Sequence, residues 1–218
     1  MDIDFITSFP PVTRAYLILS FITNVLCFSK IINGISLLLN FQLIIEHYNY
    51  WRIFSHLFYF GETGVKSIFY IFFFSRYSKA LESFSFQGRG YEYFYLLVTG
   101  NSLLLLMKLF VKEATFLGPG ITFMIVYIWG KKNAQQQINL VNLLHIKGSS
   151  LPLILMVSSW FLRQKTLKSD IMGVIAGHLY FYLEEIYPRL NGGQKILSNE
   201  KNFKKYINLI TVYNKFFT

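Results

Sequence analysis

Along the chain, long apolar runs alternate with short polar connectors. Six of the runs approach the roughly 20 residues that a helix needs to cross the hydrocarbon core of a bilayer, or the smaller number that suffices where the bilayer is thin. They are 15–32, 53–74, 93–111, 116–130, 149–162 and 171–188. The fourth and fifth are short, and Pro152 with the pair Ser158 and Ser159 interrupts the fifth. Short helices dotted with polar residues imply local thinning of the bilayer or entry of water. The pattern predicts an all-α, polytopic membrane protein built as a bundle of six transmembrane helices over residues 1–188.

Between the first two runs, residues 33–50 remain apolar but are punctuated by Asn40, Gln42, Glu46 and His47. Leu37, Leu38, Phe41, Ile44 and Ile45 recur near helical spacing, as an interfacial amphipathic helix requires. An ordinary structured loop accounts for the same residues. Past Pro188 the chain turns polar and basic, and Asn191-Gly192-Gly193 marks a turn, so residues 189–218 read as a short basic tail in the cytosol.

Composition agrees with the pattern. Of the 218 residues, 53% are hydrophobic and 19% aromatic, with only 15% charged, which is wrong for a soluble domain of this length. A net charge of +10 raises the question of nucleic acid, but the basic residues are spread through the connectors rather than gathered on one soluble face. They read instead as orientation signals, so the lipid bilayer is the expected partner and nucleic acid is not. Arg14, then Arg76, Lys79 and Arg89, then Lys131, Lys132 and Lys147, then Arg189 and the tail lysines share one side, which places both termini in the cytosol. Arg163, Lys165 and Lys168 run against the bias, in the connector before the last span.

Cys27 is the only cysteine, so an intrachain disulfide and a cysteine metal cluster are both out of reach. His47, His56, His145 and His178 are scattered, and no metal or cofactor is expected. The first 14 residues, with two acidic residues, two prolines and one arginine, do not resemble a transit peptide. The first apolar run then serves as an uncleaved signal anchor.

Three short features carry candidate chemistry. Gly173 and Gly177 stand four apart on one helix face, where a neighbouring backbone can approach closely. His178 follows directly, and an ionisable group at membrane depth points either to function or to a neutral imidazole hydrogen-bonded to another helix. Trp51-Arg52 opens the second run. Tryptophan favours the headgroup interface, and arginine can hold lipid phosphate or the carbonyls of the preceding loop. The cluster Phe54, Phe58, Tyr59 and Phe60 reads as lipid-facing packing.

Taken in register, "PPVTRAY", "YWRIFSHLFYFG", "SRYSKALESFSFQGRGYEY", "FLGPGITFMIVYIWGKKN" and "MGVIAGHLYFYLEEIYP" closely resemble the derlins, members of the rhomboid superfamily without protease activity. The resemblance covers roughly residues 9–197. It implies a rhomboid-like fold of six helices, residence in the endoplasmic reticulum membrane, and a part in returning misfolded proteins to the cytosol for proteasomal degradation. The implied partners are misfolded protein substrates, a membrane ubiquitin ligase complex, a hexameric AAA ATPase that pulls, and further copies of this chain or other derlins. By the same resemblance Trp51-Arg52 is the family's Trp-Arg motif, and Gly173 with Gly177 its Gly-x-x-x-Gly motif. One departure stands out. Derlins often end in a Gly-rich, Arg-Leu-containing box that binds the ATPase, whereas this sequence ends "TVYNKFFT", so direct recruitment by the tail is not expected.

The residues also speak against catalysis. An intramembrane serine protease needs a closely packed Gly-x-Ser-Gly nucleophile beside a histidine base. That motif is nowhere in the sequence, and the fourth run offers Thr122 but no serine. The chain is therefore expected not to be an enzyme, with His178 as a residual polar site. Three rivals stand beside this reading. One is an active protease. Another is a transporter, for which no paired half-helices are visible. The third is a derlin-like translocon component of a complex plastid's outer membrane, which the Phe-, Tyr-, Ile-, Lys- and Asn-rich composition suggests.

Overall fold

The computed structural model describes residues 8–61, 64–87, 89–111, 116–140, 144–161 and 167–192. The chain forms two compact units, Met1–His178 and Leu179–Thr218.

Helix α1 spans Pro11–Phe28. Its buried stripe consists of Thr13, Tyr16, Ser20 and Asn24, spaced by three or four residues, while Ile18, Leu19, Phe21, Ile22 and Val25 face outward. This is the reverse of a soluble amphipathic helix, whose apolar stripe turns inward. Such an arrangement is stable where the surroundings are hydrocarbon and the polar groups find partners inside the bundle.

A 3-10 turn, Gly34–Leu37, and the short helix α2, Phe41–His47, follow. Each starts on an asparagine. The Asn33 side chain accepts from the Ile35 amide at 3.0 Å, and that of Asn40 from the Gln42 amide at 3.0 Å, the usual use of Asn at an N-cap. Leu37, Leu39 and Ile44 turn inward, and Ile35 and Ile45 are exposed. Residues 33–50 are thus a capped turn plus a seven-residue helix, not one continuous amphipathic helix.

The second apolar run is not one helix over 53–74, as its hydropathy suggests. Helix α3, Arg52–Phe58, ends at Tyr59, and α4, Val65–Ala80, begins after a break in which Gly61 (φ 100°) and Gly64 (φ 145°) take conformations outside the right-handed helix. A π-helical turn, Leu81–Ser85, closes α4. Helix α5, Gly90–Phe110, comes next. Helix α6, Gly118–Lys132, is the centre of the bundle, and every residue from Gly118 to Gly130 is buried. It packs on α3, α4 and α5 and on the later helix α7, Leu151–Phe161, as expected of a helix apolar all round.

Between α6 and α7 lies a feature that an all-α reading did not include. Strands β1, Gln137–Leu140, and β2, Leu144–Lys147, pair antiparallel with Gln137 opposite Lys147 and Ile138 opposite Ile146. The polar-apolar alternation of "QINL" and "LHIK" has the strand period of two. A 3-10 turn, Gly148–Ser150, leads into α7. The chain is mostly helical with this one hairpin among the described residues.

Helix α8, Leu167–Phe181, starts four residues earlier than the sixth apolar run and so includes Asp170. In the second unit a π-helical turn, Tyr182–Ile186, leads to α9, Tyr187–Leu190, where an exposed Arg189 sits 3.6 Å from Glu185. Residues 193–218, nearly all of the tail expected from the sequence, lie outside the described residues. By length and composition α1 and α5 can cross a membrane, and 148–161 is a shorter apolar stretch.

Candidate functional site

Arg52 opens α3, and its guanidinium folds back under the preceding loop. Nη1 donates to the carbonyls of Leu38 at 2.8 Å and Ile35 at 3.2 Å, with the residue only 7% exposed. The first of these carbonyls caps the end of the 3-10 turn and the second lies within it. A delocalised cation with several donors can hold two acceptors at once, which a lysine does less well. Trp51 is 55% exposed, so the two halves of the dipeptide face opposite surroundings.

Gly173 and Gly177 of α8 both lie against α6. A Cβ built on Gly173 would land on the Gly120 carbonyl, 2.8 Å from its carbon, and one on Gly177 would sit 3.1 Å from the Met124 oxygen and from the Tyr127 side chain. Gly120 returns the close approach, its own added Cβ falling 3.0 Å from the Ser169 oxygen. Glycine on both helices lets the backbones meet where any side chain would part them.

His178 follows Gly177, and its Nδ1 lies 2.7 Å from the Tyr127 hydroxyl, with the two rings edge-on. Thr122 donates instead to the Gly118 carbonyl at 3.3 Å, within its own helix. The hydroxyl and the imidazole that a hidden protease would need are each engaged elsewhere. With Tyr127 as its partner, His178→Gln is expected to keep most of the thermal stability, and His178→Leu to lose about 0.5–1.5 kcal/mol, the usual net worth of one hydrogen bond. Thermal unfolding in detergent measures both, and equal melting temperatures would count against the pairing.

Two fully buried carboxylates escaped the sequence reading. Glu82, in the π-helical turn after α4, is fully buried. It accepts from the Val12 amide at 3.0 Å, the Thr13 amide at 2.8 Å and the Thr13 hydroxyl at 2.7 Å. The Thr13 hydroxyl also meets Ser78 at 2.7 Å, and Ser78 meets Tyr93 at 2.5 Å. Helix α1 has proline at both its N-cap and first position, so it has no local side-chain cap. Glu82 caps it from another helix, placing negative charge where the helix dipole favours it.

Asp170, also fully buried, receives the Tyr70 hydroxyl at 3.0 and 3.1 Å and the Ser159 hydroxyl at 2.5 Å. It joins α4, α7 and α8. Nearby, Ser169 donates to the Phe116 carbonyl at 2.6 Å. In the sequence, Glu82 is lost among the bases of "SRYSKALESF", and Asp170 reads as the edge of a span. An acidic residue beside an apolar run was the only hint. Among the described residues no group of histidine, cysteine, aspartate or glutamate has the arrangement of a metal site.

Compared with known proteins, residues 9–200 match a model of the Der1-like family. The probable derlin-2 homolog of Dictyostelium discoideum is 32% identical over 194 residues, covering 86% of this chain and 76% of that protein. Derlin-2.1 of Zea mays is 35% identical over 193 residues, 84% of this chain and 77% of the relative. Derlin-2.2 of Arabidopsis thaliana is 34% identical over 198 residues, with shares of 83% and 78%.

Proposed function

The chain belongs to the Der1-like family, and from that premise we propose that it is a non-catalytic component of the endoplasmic reticulum membrane that binds misfolded proteins and assists their return to the cytosol for degradation. The observation that carries the reading, beside the family, is the pairing of an outward apolar surface with an inward polar stripe on α1. That inversion suits a bundle solvated by lipid. Six spans with both termini in the cytosol agree with the distribution of basic residues.

Extraction has to lower the barrier to carrying peptide groups across ~30 Å of hydrocarbon, where each unpaired backbone group costs several kcal/mol. Helix α7 has 11 residues, which at about 1.5 Å per residue spans roughly 16 Å. A helix this short thins the bilayer around it. The turn and helix held by Arg52 then form a wedge on the lumenal side. Partners follow from the role: a misfolded client, a membrane ubiquitin ligase, an AAA ATPase and other derlin chains. The engagement of Thr122 and His178 with other groups supports a role without proteolysis.

The test has two arms. Depleting the chain is expected to lengthen the half-life of a misfolded membrane-anchored protein several-fold, with rescue by wild type and by Thr122→Val. A cleavage fragment that disappears in both Thr122→Val and His178→Ala would replace this reading with a protease. For orientation, a glycan acceptor placed in residues 33–50 is expected to be modified and one near Asn199 to stay bare. A tagged copy found on a plastid membrane would move the same chemistry to protein import.

A further inference from the structure

We propose that Lys131 and Tyr127 of α6 and His178 of α8 bind the phosphate of an anionic phospholipid at the seam between the two helices. The three side chains are joined by direct contacts. The Tyr127 hydroxyl lies 2.7 Å from His178 Nδ1, and Lys131 Nζ stands over the face of the same tyrosine ring, 5.5 Å from its centroid. Both the lysine and the histidine are exposed, while the tyrosine that links them is buried. Among the described residues Lys131 makes no ion pair, and His178 Nε2 makes no hydrogen bond. Two nitrogens on two helices are thus turned outward at one place with no protein group to receive them.

The depth of this place follows from the two helices. Helix α6 carries no charge until its last two residues, Lys131 and Lys132, which sets the headgroup level at that end. Tyr127 precedes Lys131 by one turn, where tyrosine is favoured because its ring is apolar and its hydroxyl polar. On α8, Ile171, Ile175 and His178 follow one another at steps of four and three and so share a face, and both isoleucines are exposed. His178 therefore ends an outward apolar stripe, beside Tyr127 and within reach of the headgroup level.

An anionic phospholipid matches both halves of this surface. Its acyl chains lie along Ile171 and Ile175, and its phosphate meets the polar end. With Tyr127 donating to Nδ1, the neutral imidazole carries its proton on Nε2, which donates outward. The Lys131 ammonium adds a charge-assisted bond, and its flexible stem adjusts that end of the bridge. A free phosphate would gain these donors but not the apolar stripe, and a neutral lipid the stripe but not the donors. A headgroup held from both helices clamps α6 to α8 beside the close approach of Gly177 to Met124 and Tyr127. The inference needs a bilayer around the bundle and stands apart from the proposed role in degradation.

The experiment is native mass spectrometry of the full chain, stripped of lipid in detergent and titrated with phosphatidylglycerol. Diacylglycerol serves as a probe without phosphate, and inorganic phosphate as one without chains. The first phosphatidylglycerol is expected to bind about ten-fold tighter than diacylglycerol or better, and equimolar inorganic phosphate is expected not to displace it. Lys131→Gln is expected to weaken that first binding about ten-fold. Lys147→Gln, which removes the same charge from an exposed position on β2, is expected to change it less than about two-fold. His178→Phe is expected to lose about as much as Lys131→Gln, and His178→Gln, which still donates, to keep most of the affinity. Diacylglycerol bound as tightly as phosphatidylglycerol, equal losses in Lys131→Gln and Lys147→Gln, or full affinity in His178→Phe would each overturn the site. Displacement by inorganic phosphate would overturn the lipid and leave a free anion in its place.

Discussion

Gly173→Leu is expected to unfold the bundle locally or wholly, at a cost of about 3 kcal/mol or more, and to abolish turnover of a misfolded client. A Cβ at that position would already lie on the Gly120 carbonyl, and the obstacle is backbone rather than the tip of a flexible side chain. Helix α6 cannot step away, because it is buried along its whole central length by α3, α4, α5 and α7. The strain therefore falls on α8. Gly177→Leu is expected to be milder, since its nearest neighbours stand at 3.1 Å and so need to give by only a few tenths of an ångström around the first carbon. A leucine at Ile175, exposed on the same helix, serves as the control. Melting temperature in detergent, read beside client half-life, decides the matter, and a Gly173→Leu variant with wild-type values in both would refute the close-packed role.

Glu82→Ala carries the second large effect. It strips the acceptor from two helix amides and one hydroxyl at once, and leaving buried donors unsatisfied costs about 1–3 kcal/mol each when water cannot reach them. Some relaxation will follow, so a net loss of about 3 kcal/mol is expected rather than the full sum. Glu82→Gln, which keeps one acceptor oxygen but brings two unwanted donors, is expected to fall between. Hydrogen exchange provides a local reading, because the Val12 and Thr13 amides are expected to exchange at least ten-fold faster in Glu82→Ala while the centre of α6 stays protected. Unchanged exchange at those two amides would show that α1 is held by its packing alone.

Much was legible in the residues themselves. The apolar runs located most of the helices, because length and hydropathy report which solvent a segment is built to meet. The spacing of Gly173 and Gly177 marked a face free of side chains, and Trp51-Arg52 marked a helix mouth, since such features depend on local geometry. The break in the second run leaves a trace in the sequence too: Gly61 and Gly64 in "FGETG" are turn signals inside an otherwise apolar stretch. The hairpin leaves a fainter one, its period of two hidden in a short connector.

What the sequence by itself determined, then, is a mostly helical membrane protein and its family, with the glycines where a close approach is possible. Only the tertiary structure decided which polar groups meet. Thr13 and Glu82 are 69 residues apart, and Tyr70 and Asp170 are 100 apart. Nothing local distinguishes an acidic residue that will cap a distant helix from one that will face water. In a bundle whose outer surface is apolar, polar side chains are forced inward wherever they fall along the chain, and their partners are chosen by how the helices pack.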